Sequence, residues 1–258
     1  MAINQHIKTK NAAEFYTRAD DVFGRIAERY DLLCDLFSLG IHRLWKRRVA
    51  SIIAGESRKQ LIDCATGTGD IILRVLKHKQ YRSGRGILAS DISPQMLAIA
   101  RRRISRVSSS VEYSALDAHS MPEVATASKD LYSISLGLKI CERERVLREA
   151  FRVLRPGGGL VILEASNIPW AWLHNLYLLY MRLCMPVIGW IATGGDTSAY
   201  TYLLKGIENF ATAEQLAQEL EAIGFTEVSF ERLSLGIVAI HVARKPSRFE
   251  EVMSGVER

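Results

Sequence analysis

A doubly wound α/β sheet, mostly parallel and closed by an antiparallel C-terminal edge strand, is what this 258-residue sequence predicts. Three observations predict it. From residue 61 onward short apolar runs alternate with helical stretches, as in a parallel sheet covered on both faces. The run Leu61-Ile62-Asp63-Cys64-Ala65 opens onto Thr66-Gly67-Thr68-Gly69-Asp70, a strand, a glycine turn and a helix start. Near the other end, residues 225–233 and 236–243 are strand-like runs parted by a short turn, which makes an antiparallel hairpin.

In chain order, roughly the first twenty residues form a polar arm, and residues 22–54 read as helices. Ile26, Tyr30, Leu33, Phe37 and Leu44 are spaced as an apolar stripe there. Asp31 and Asp35 come early in that stretch, and Arg43, Lys46, Arg47 and Arg48 come late, as a solvated helix end prefers. Residues 70–79 are helical, residues 86–91 are a second strand, and Ser93-Pro94 supply the cap and first turn of the next helix. Strands follow at 111–115 and 130–135. A helix at 142–154 is stopped by Pro156-Gly157-Gly158-Gly159, and a fifth strand spans 160–164. Residues 212–224 are the helix before the terminal hairpin. Residues 168–193, rich in Trp, Leu and Tyr, are long enough to span a bilayer. Pro169, His174, Arg182 and Pro186 interrupt them and no basic cluster flanks them, so they read as an amphipathic insertion, over about 168–210, that covers a site.

An apolar content of 48% and a charged content of 24% suit a folded domain, here a single one over 1–258, with a sizeable core. The 34 Lys and Arg against 28 Asp and Glu leave +6, a modest excess that serves solubility. Cys34, Cys64, Cys141 and Cys184 show no zinc spacing, so no metal is expected. The polar N-terminus and unpaired thiols point to a reducing, cytoplasmic setting.

The second strand, Gly86-Ile87-Leu88-Ala89-Ser90, ends on Asp91, about twenty residues past the glycine turn, where a carboxylate meets both ribose hydroxyls. A dinucleotide fingerprint would continue Gly67-x-Gly69-x-x-Gly, but position 72 is Ile72; no Gly-Lys-Ser/Thr follows either. A ligand with a ribose and no pyrophosphate fits, and S-adenosyl-L-methionine is the common one.

Several stretches resemble one family, the quinone-biosynthesis C-methyltransferases that act on demethylmenaquinol or on the 2-polyprenyl-6-methoxy-benzoquinol precursor of ubiquinone. They are Phe23-Gly24-Arg25-Ile26-Ala27-Glu28-Arg29-Tyr30-Asp31-Leu32-Leu33, His42-Arg43-Leu44-Trp45, Ala65-Thr66-Gly67-Thr68-Gly69-Asp70, Arg152-Val153-Leu154-Arg155-Pro156-Gly157-Gly158 and Gly236-Ile237-Val238-Ala239-Ile240-His241. The resemblance runs from about residue 20 to 245 and implies a class I methyltransferase-type sheet. It implies S-adenosyl-L-methionine contacts at Thr68, Asp91, Asp117, Ala118 and Ser135, beside Gly67 and Gly69 of the turn. Where the family has Phe-Gly-x-Arg-Asn, this chain has Leu136-Gly137-Leu138-Lys139-Ile140; Lys139 keeps the charge without the planar two-pronged donor set. Cys34 stands where the family has Asn.

The implied reaction is methylation of a ring carbon of a prenylated quinol, demethylmenaquinol first. Lys139 is expected to stabilise the quinolate oxygen, with Tyr200, Tyr202 and His241 as candidates for hydrogen bonding or proton removal. The expected partners are the lipophilic quinol, a transient contact with the inner face of a membrane, and a second copy as an open alternative. The residues leave open methylation of a phospholipid amine or another small apolar molecule. A nucleic-acid methyltransferase is opposed by the absence of Asn/Asp-Pro-Pro-Tyr, of a Pro-Cys nucleophile and of an aromatic-and-basic stripe.

Overall fold

The computed structural model of the protein describes residues 27–56, 60–81, 86–193, 204 and 206–247. Seven strands form one sheet in the order β3-β2-β1-β4-β5-β7-β6. They are β1 Gln60–Cys64, β2 Gly86–Asp91, β3 Val111–Ala115, β4 Lys129–Ser135, β5 Leu154–Ala165, β6 Thr226–Leu233 and β7 Val238–Arg244. The first five pair in parallel, and β7 runs antiparallel to both β5 and β6. The expected hairpin therefore makes one edge of the sheet, with the last strand seated one position in from the rim.

Helices α1 Tyr30–Ser38, α2 His42–Gly55, α3 Asp70–Leu76, α4 Pro94–Ile104, α5 Arg143–Val153, α6 Ala171–Thr193 and α7 Ala213–Ile223 surround it. Strand alternation sorts the core into two layers. Leu61, Ile87, Leu131, Val161 and Ile240 meet α2, α3 and α4 through Val49, Ile53, Ile72, Ala100 and Ile104. Ile62, Leu88, Tyr132, Ile134 and Ile162 meet α5 and α7 through Val146, Leu147, Leu216 and Leu220. The caps are those the sequence offers. Ser93 accepts from the Met96 N–H with Pro94 behind it. Thr212 and Gln215 form a reciprocal capping box, and Gly224 closes α7 at φ 112°.

Three expectations change. The 22–54 stretch is broken at Leu39 and Gly40, both at positive φ, so Arg43 and Lys46 fall near the start of α2 rather than at a helix end. Arg43 stays exposed but returns to Asp35 through two hydrogen bonds, while Lys46 is buried on Asp70 at 3.2 Å; Arg47 and Arg48 are exposed as expected. Leu44, counted in the apolar stripe, points outward and is 59% exposed, because the break rotates α2 relative to α1. Pro156-Gly157-Gly158 does not stop α5. The chain passes from Val153 into β5 at Leu154, and the Pro-Gly segment is an irregularity across which the β4 pairing jumps from Lys129↔Leu154 to Leu131↔Gly159.

Candidate active site

β1 leads to β2 on one side and β4 lies on the other, so the carboxyl ends of β1 and β4 diverge into a crevice. Ala65 and Leu136, the residues leaving those strands, sit at φ 49° and 59°. That conformation costs an L side chain about 1–2 kcal/mol, and such strain gathers at functional sites. A Cβ on Gly137 would lie 2.6 Å from the Ala65 Cβ, so glycine there lets the two loops touch.

The first cavity in the crevice, about 90 Å³, is lined by Gly67, Asp91, Met96, Leu116, Asp117, Ala118, Ser135 and Tyr30. The Asp91 carboxylate accepts the Gly67 and Ser93 backbone N–H groups at 2.8 and 2.9 Å, which ties the end of β2 to the glycine turn. Asp117 accepts the His119 backbone N–H and the His119 Nδ1, at 2.9 and 2.6 Å. His119 Nε2 accepts the Glu142 N–H at 2.9 Å, so the ring proton resides on Nδ1 and is given to Asp117. Burial pushes the Asp117 carboxyl up, but these bonds from His119 outweigh it and hold it below the usual range. The Ser135 hydroxyl is buried with no hydrogen-bond partner, a polar atom left for a ligand.

The two turn glycines differ. A Cβ on Gly67 would meet nothing within 4 Å, whereas one on Gly69 would lie 2.7 Å from Ile104 Cδ1 and 3.1 Å from Ala100 Cβ. Gly67 keeps the floor open and Gly69 lets α4 pack against the turn. Thr68 is nearly buried, and its hydroxyl donates to Asp31 of α1 at 2.8 Å. Beneath the turn Asp63 is 1% exposed and accepts from Ser133 and Thr66, each at 2.6 Å. Burial lifts its carboxyl to about 6 despite those two donors.

A second cavity, about 440 Å³, lies between α1, the start of α2, α6 and the β6–β7 turn. Its wall is apolar (Leu33, Phe37, Trp45, Ile168, Tyr177 and Met181 among others), and Tyr30 and Leu136 line both cavities. The Cys34 thiol beside it and burial push the Tyr30 hydroxyl well above its ordinary value. The polar end of this cavity is an ion pair. Lys139 Nζ stands 3.2 Å from Glu164 Oε1, their side chains 8% and 1% exposed. Glu164 also accepts the Lys139 and Ala165 backbone N–H groups, at 3.0 and 2.8 Å, and Lys139 Nζ donates to the Leu136 carbonyl. Glu164 is the one carboxylate among the described lining residues.

The structure thus brings Gly67, Asp91, Asp117, Ala118 and Ser135 to one cavity and Lys139 to its neighbour, whereas Thr68 lines neither, its hydroxyl being held by Asp31 of α1. It does not bring His241 to either. That ring lies on the α7 face of β7, buried, with Nε2 against the Ala213 carbonyl at 2.8 Å and its plane over Phe230. Tyr200 and Tyr202 lie outside the described residues. Sequence reasoning passed over Tyr30, Asp63 and Glu164. The two acids carry a signal, each being a lone acid in an apolar strand; Tyr30 carries none.

A family model described as the ubiE/COQ5 methyltransferase family matches residues 9–245. The chain belongs to this family. Among curated relatives, a 2-methoxy-6-polyprenyl-1,4-benzoquinol methylase, mitochondrial, of Schizosaccharomyces pombe is 38% identical over 239 residues, 87% of this chain and 78% of that one. A ubiquinone/menaquinone biosynthesis C-methyltransferase of Acidiphilium cryptum is 38% identical over 86% of this chain and 88% of its own. A demethylmenaquinone methyltransferase of Thermus thermophilus is 35% identical over 87% and 100%. Among solved structures, a SAM-dependent methyltransferase of Thermotoga maritima superposes at a TM-score of 0.61, with 17% identity over 87% of this chain and 98% of that one. The latter likeness establishes the fold. In the ubiE/COQ5 family this chain is a quinone-biosynthesis methyltransferase, and no helix among its described residues is long and apolar enough to cross a membrane.

Proposed function

We propose that the protein uses S-adenosyl-L-methionine to methylate a ring carbon of a prenylated quinol. The observation that carries this reading is the pair of adjoining cavities, one with two carboxylates and an unpartnered hydroxyl, the other apolar with a single ion pair at its end. Asp91 would hold the ribose, Asp117 and Ala118 the adenine, and Ser135 a further polar atom of the nucleoside. When bound, the donor supplies a methyl group made electrophilic by its sulfonium.

The chain's own residues do the rest. A phenolic hydroxyl ordinarily ionises near pH 10, so the acceptor needs help to become a quinolate at neutral pH. Lys139 Nζ has three protons; Glu164 and the Leu136 carbonyl take two, and one remains for a quinol oxygen. Glu164 is the lining carboxylate that can receive the hydroxyl proton and return it to the oxygen when the methylated ring carbon gives up its own hydrogen as a proton to restore the aromatic ring. Tyr30 and Leu136, shared by both walls, orient the ring against the donor site. Positioning of this kind is worth about 7–11 kcal/mol of barrier. His241, turned toward α7, has no part in this scheme.

Demethylmenaquinol is the first substrate to test, because few polar groups in the cavity could hold a methoxy-bearing ring. The benzoquinol precursor is the second reading, supported by the name of the Schizosaccharomyces pombe relative, a benzoquinol methylase. Calorimetry with S-adenosylhomocysteine, followed by turnover on demethylated naphthoquinol and benzoquinol acceptors, tests both halves. Binding with turnover is expected. Binding with neither quinol methylated would remove the substrate reading, and no binding would remove the cofactor.

A further inference from the structure

His42 opens α2 and lines the apolar cavity, yet it is only 5% exposed. Its two ring nitrogens are unequally engaged. Ser38 Oγ gives its one proton to the Cys34 carbonyl at 2.6 Å, so toward the ring it can only accept. It lies 2.8 Å from His42 Nδ1, which fixes the ring proton on that nitrogen. Asp35 Oδ1, 3.7 Å from the same Nδ1, agrees with a proton there. Burial first, and then the Lys46 charge, push the ring below its ordinary value and keep it neutral. Nε2 is therefore a bare lone pair, and it meets no donor among the described residues. His119, by contrast, engages both of its nitrogens, on Asp117 and on the Glu142 N–H.

A buried acceptor without a donor is costly, so this nitrogen calls for a ligand that carries a hydroxyl. A prenylated quinol has one to give. Its first oxygen belongs to Lys139 and Glu164, and its second hydroxyl lies para to that, across the ring. A quinol with a hydrogen bond at each oxygen spans about 11 Å. Tyr30, Cys34 and Ser38 line the cavity at four-residue spacing, so this face of α1 runs about 12 Å from the donor side toward His42. The length of the ligand matches the length of the wall.

We propose that His42 Nε2 accepts a hydrogen bond from the second quinol hydroxyl and so selects the reduced ring over the quinone. The inference rests on the quinol reading of this cavity. A hydroxyl satisfies Nε2, whereas a quinone carbonyl brings a second acceptor and leaves both unpaired. Lys139 does not discriminate in this way, because its Nζ donates to a hydroxyl or a carbonyl oxygen alike. His42 thereby keeps out the oxidised ring, which has no hydroxyl to ionise.

Binding of the ring-methylated, one-prenyl naphthoquinol and of its quinone tests this. Tryptophan fluorescence reads it in oxygen-free buffer with S-adenosylhomocysteine present, and dithionite keeps the quinol reduced. The methylated ring is chosen because its quinone has no open carbon to which the Cys34 thiol could add. Wild type is expected to bind the quinol about tenfold or more tighter than the quinone. His42→Gln puts an amide near the place of Nε2. That amide can turn to donate or to accept, so quinol and quinone should bind within about twofold of each other. Ser38→Ala keeps the imidazole but frees Nδ1, so either tautomer forms and the preference should narrow to about threefold. Equal binding of the two rings by wild type would overturn the inference. So would a full preference retained by folded His42→Gln or, where that variant does not fold, by Ser38→Ala. Turnover of the demethylated quinol separates the two failures. Wild type that methylates it without preferring quinol to quinone loses only the role of His42. Wild type that binds neither ring and methylates neither acceptor loses the quinol reading, and this inference with it.

Discussion

Replacing Lys139 by Met takes the cation from beside Glu164, a carboxylate 1% exposed. Removing one partner of a buried pair costs about 3–5 kcal/mol, because the other charge stays buried without compensation. Glu164 keeps the backbone N–H groups of Lys139 and Ala165, so the lower end, about 3 kcal/mol, applies here. For a chain of this size that lowers the unfolding midpoint by about 6–12 °C. Turnover should fall about 10²–10³-fold, the usual loss when a donor to a developing oxyanion is removed. Adding Glu164→Gln separates the two effects. The double variant should regain all but about 1 kcal/mol of the stability, since no charge is left buried, while turnover stays low. Denaturant unfolding followed by circular dichroism and single-turnover methyl transfer read the two quantities. A double variant that is both stable and fully active would show that Lys139 holds the loop after β4 and has no role toward the quinol.

Three further outcomes follow from the same geometry. Gly69→Ala should destabilise by about 2–4 kcal/mol in thermal unfolding, since it combines a φ of 77° with a 2.7 Å approach to Ile104. His119→Ala removes the ring proton that Asp117 accepts. It should weaken S-adenosylhomocysteine binding about tenfold in calorimetry while changing S-inosylhomocysteine, which lacks the exocyclic amine, by less than twofold. Asp63 is raised from its ordinary 3.8 to about 6, so its contribution favours folding at low pH and is lost as pH rises through 6. At 1.36 kcal/mol per pH unit the displacement is worth about 3 kcal/mol, so between pH 4 and 7 the wild type should lose up to that much stability relative to Asp63→Asn.

β1 and β2 were legible because each is a short apolar run between turn residues, and the helix at 212–224 because Thr212 and Gly224 mark both of its ends. The ribose acid and glycine turn were legible for the same local reason. What escaped depends on tertiary direction. The break at Leu39 and Gly40 turns α2 so that Lys46 faces Asp70 and Leu44 faces outward, and nothing in the spacing of a helical stripe encodes that rotation. The Pro156-Gly157-Gly158 segment reads as a helix stop, yet Gly157 donates to the Lys245 carbonyl and Lys245 to that of Gly158, which absorbs the segment into the sheet. His241 sits on the α7 face because strand alternation assigns it there, a parity fixed only once β7 pairs Ile162 with it. Asp63 and Glu164 could have been singled out, since a lone acid inside an apolar strand must find donors when buried.

Location of the transferred methyl is the most direct measure of the whole account. With isotopically labelled S-adenosyl-L-methionine and demethylated naphthoquinol, nuclear magnetic resonance of the product should place the label on a ring carbon. A label on oxygen, or on nitrogen when an amine lipid is supplied instead, would contradict it.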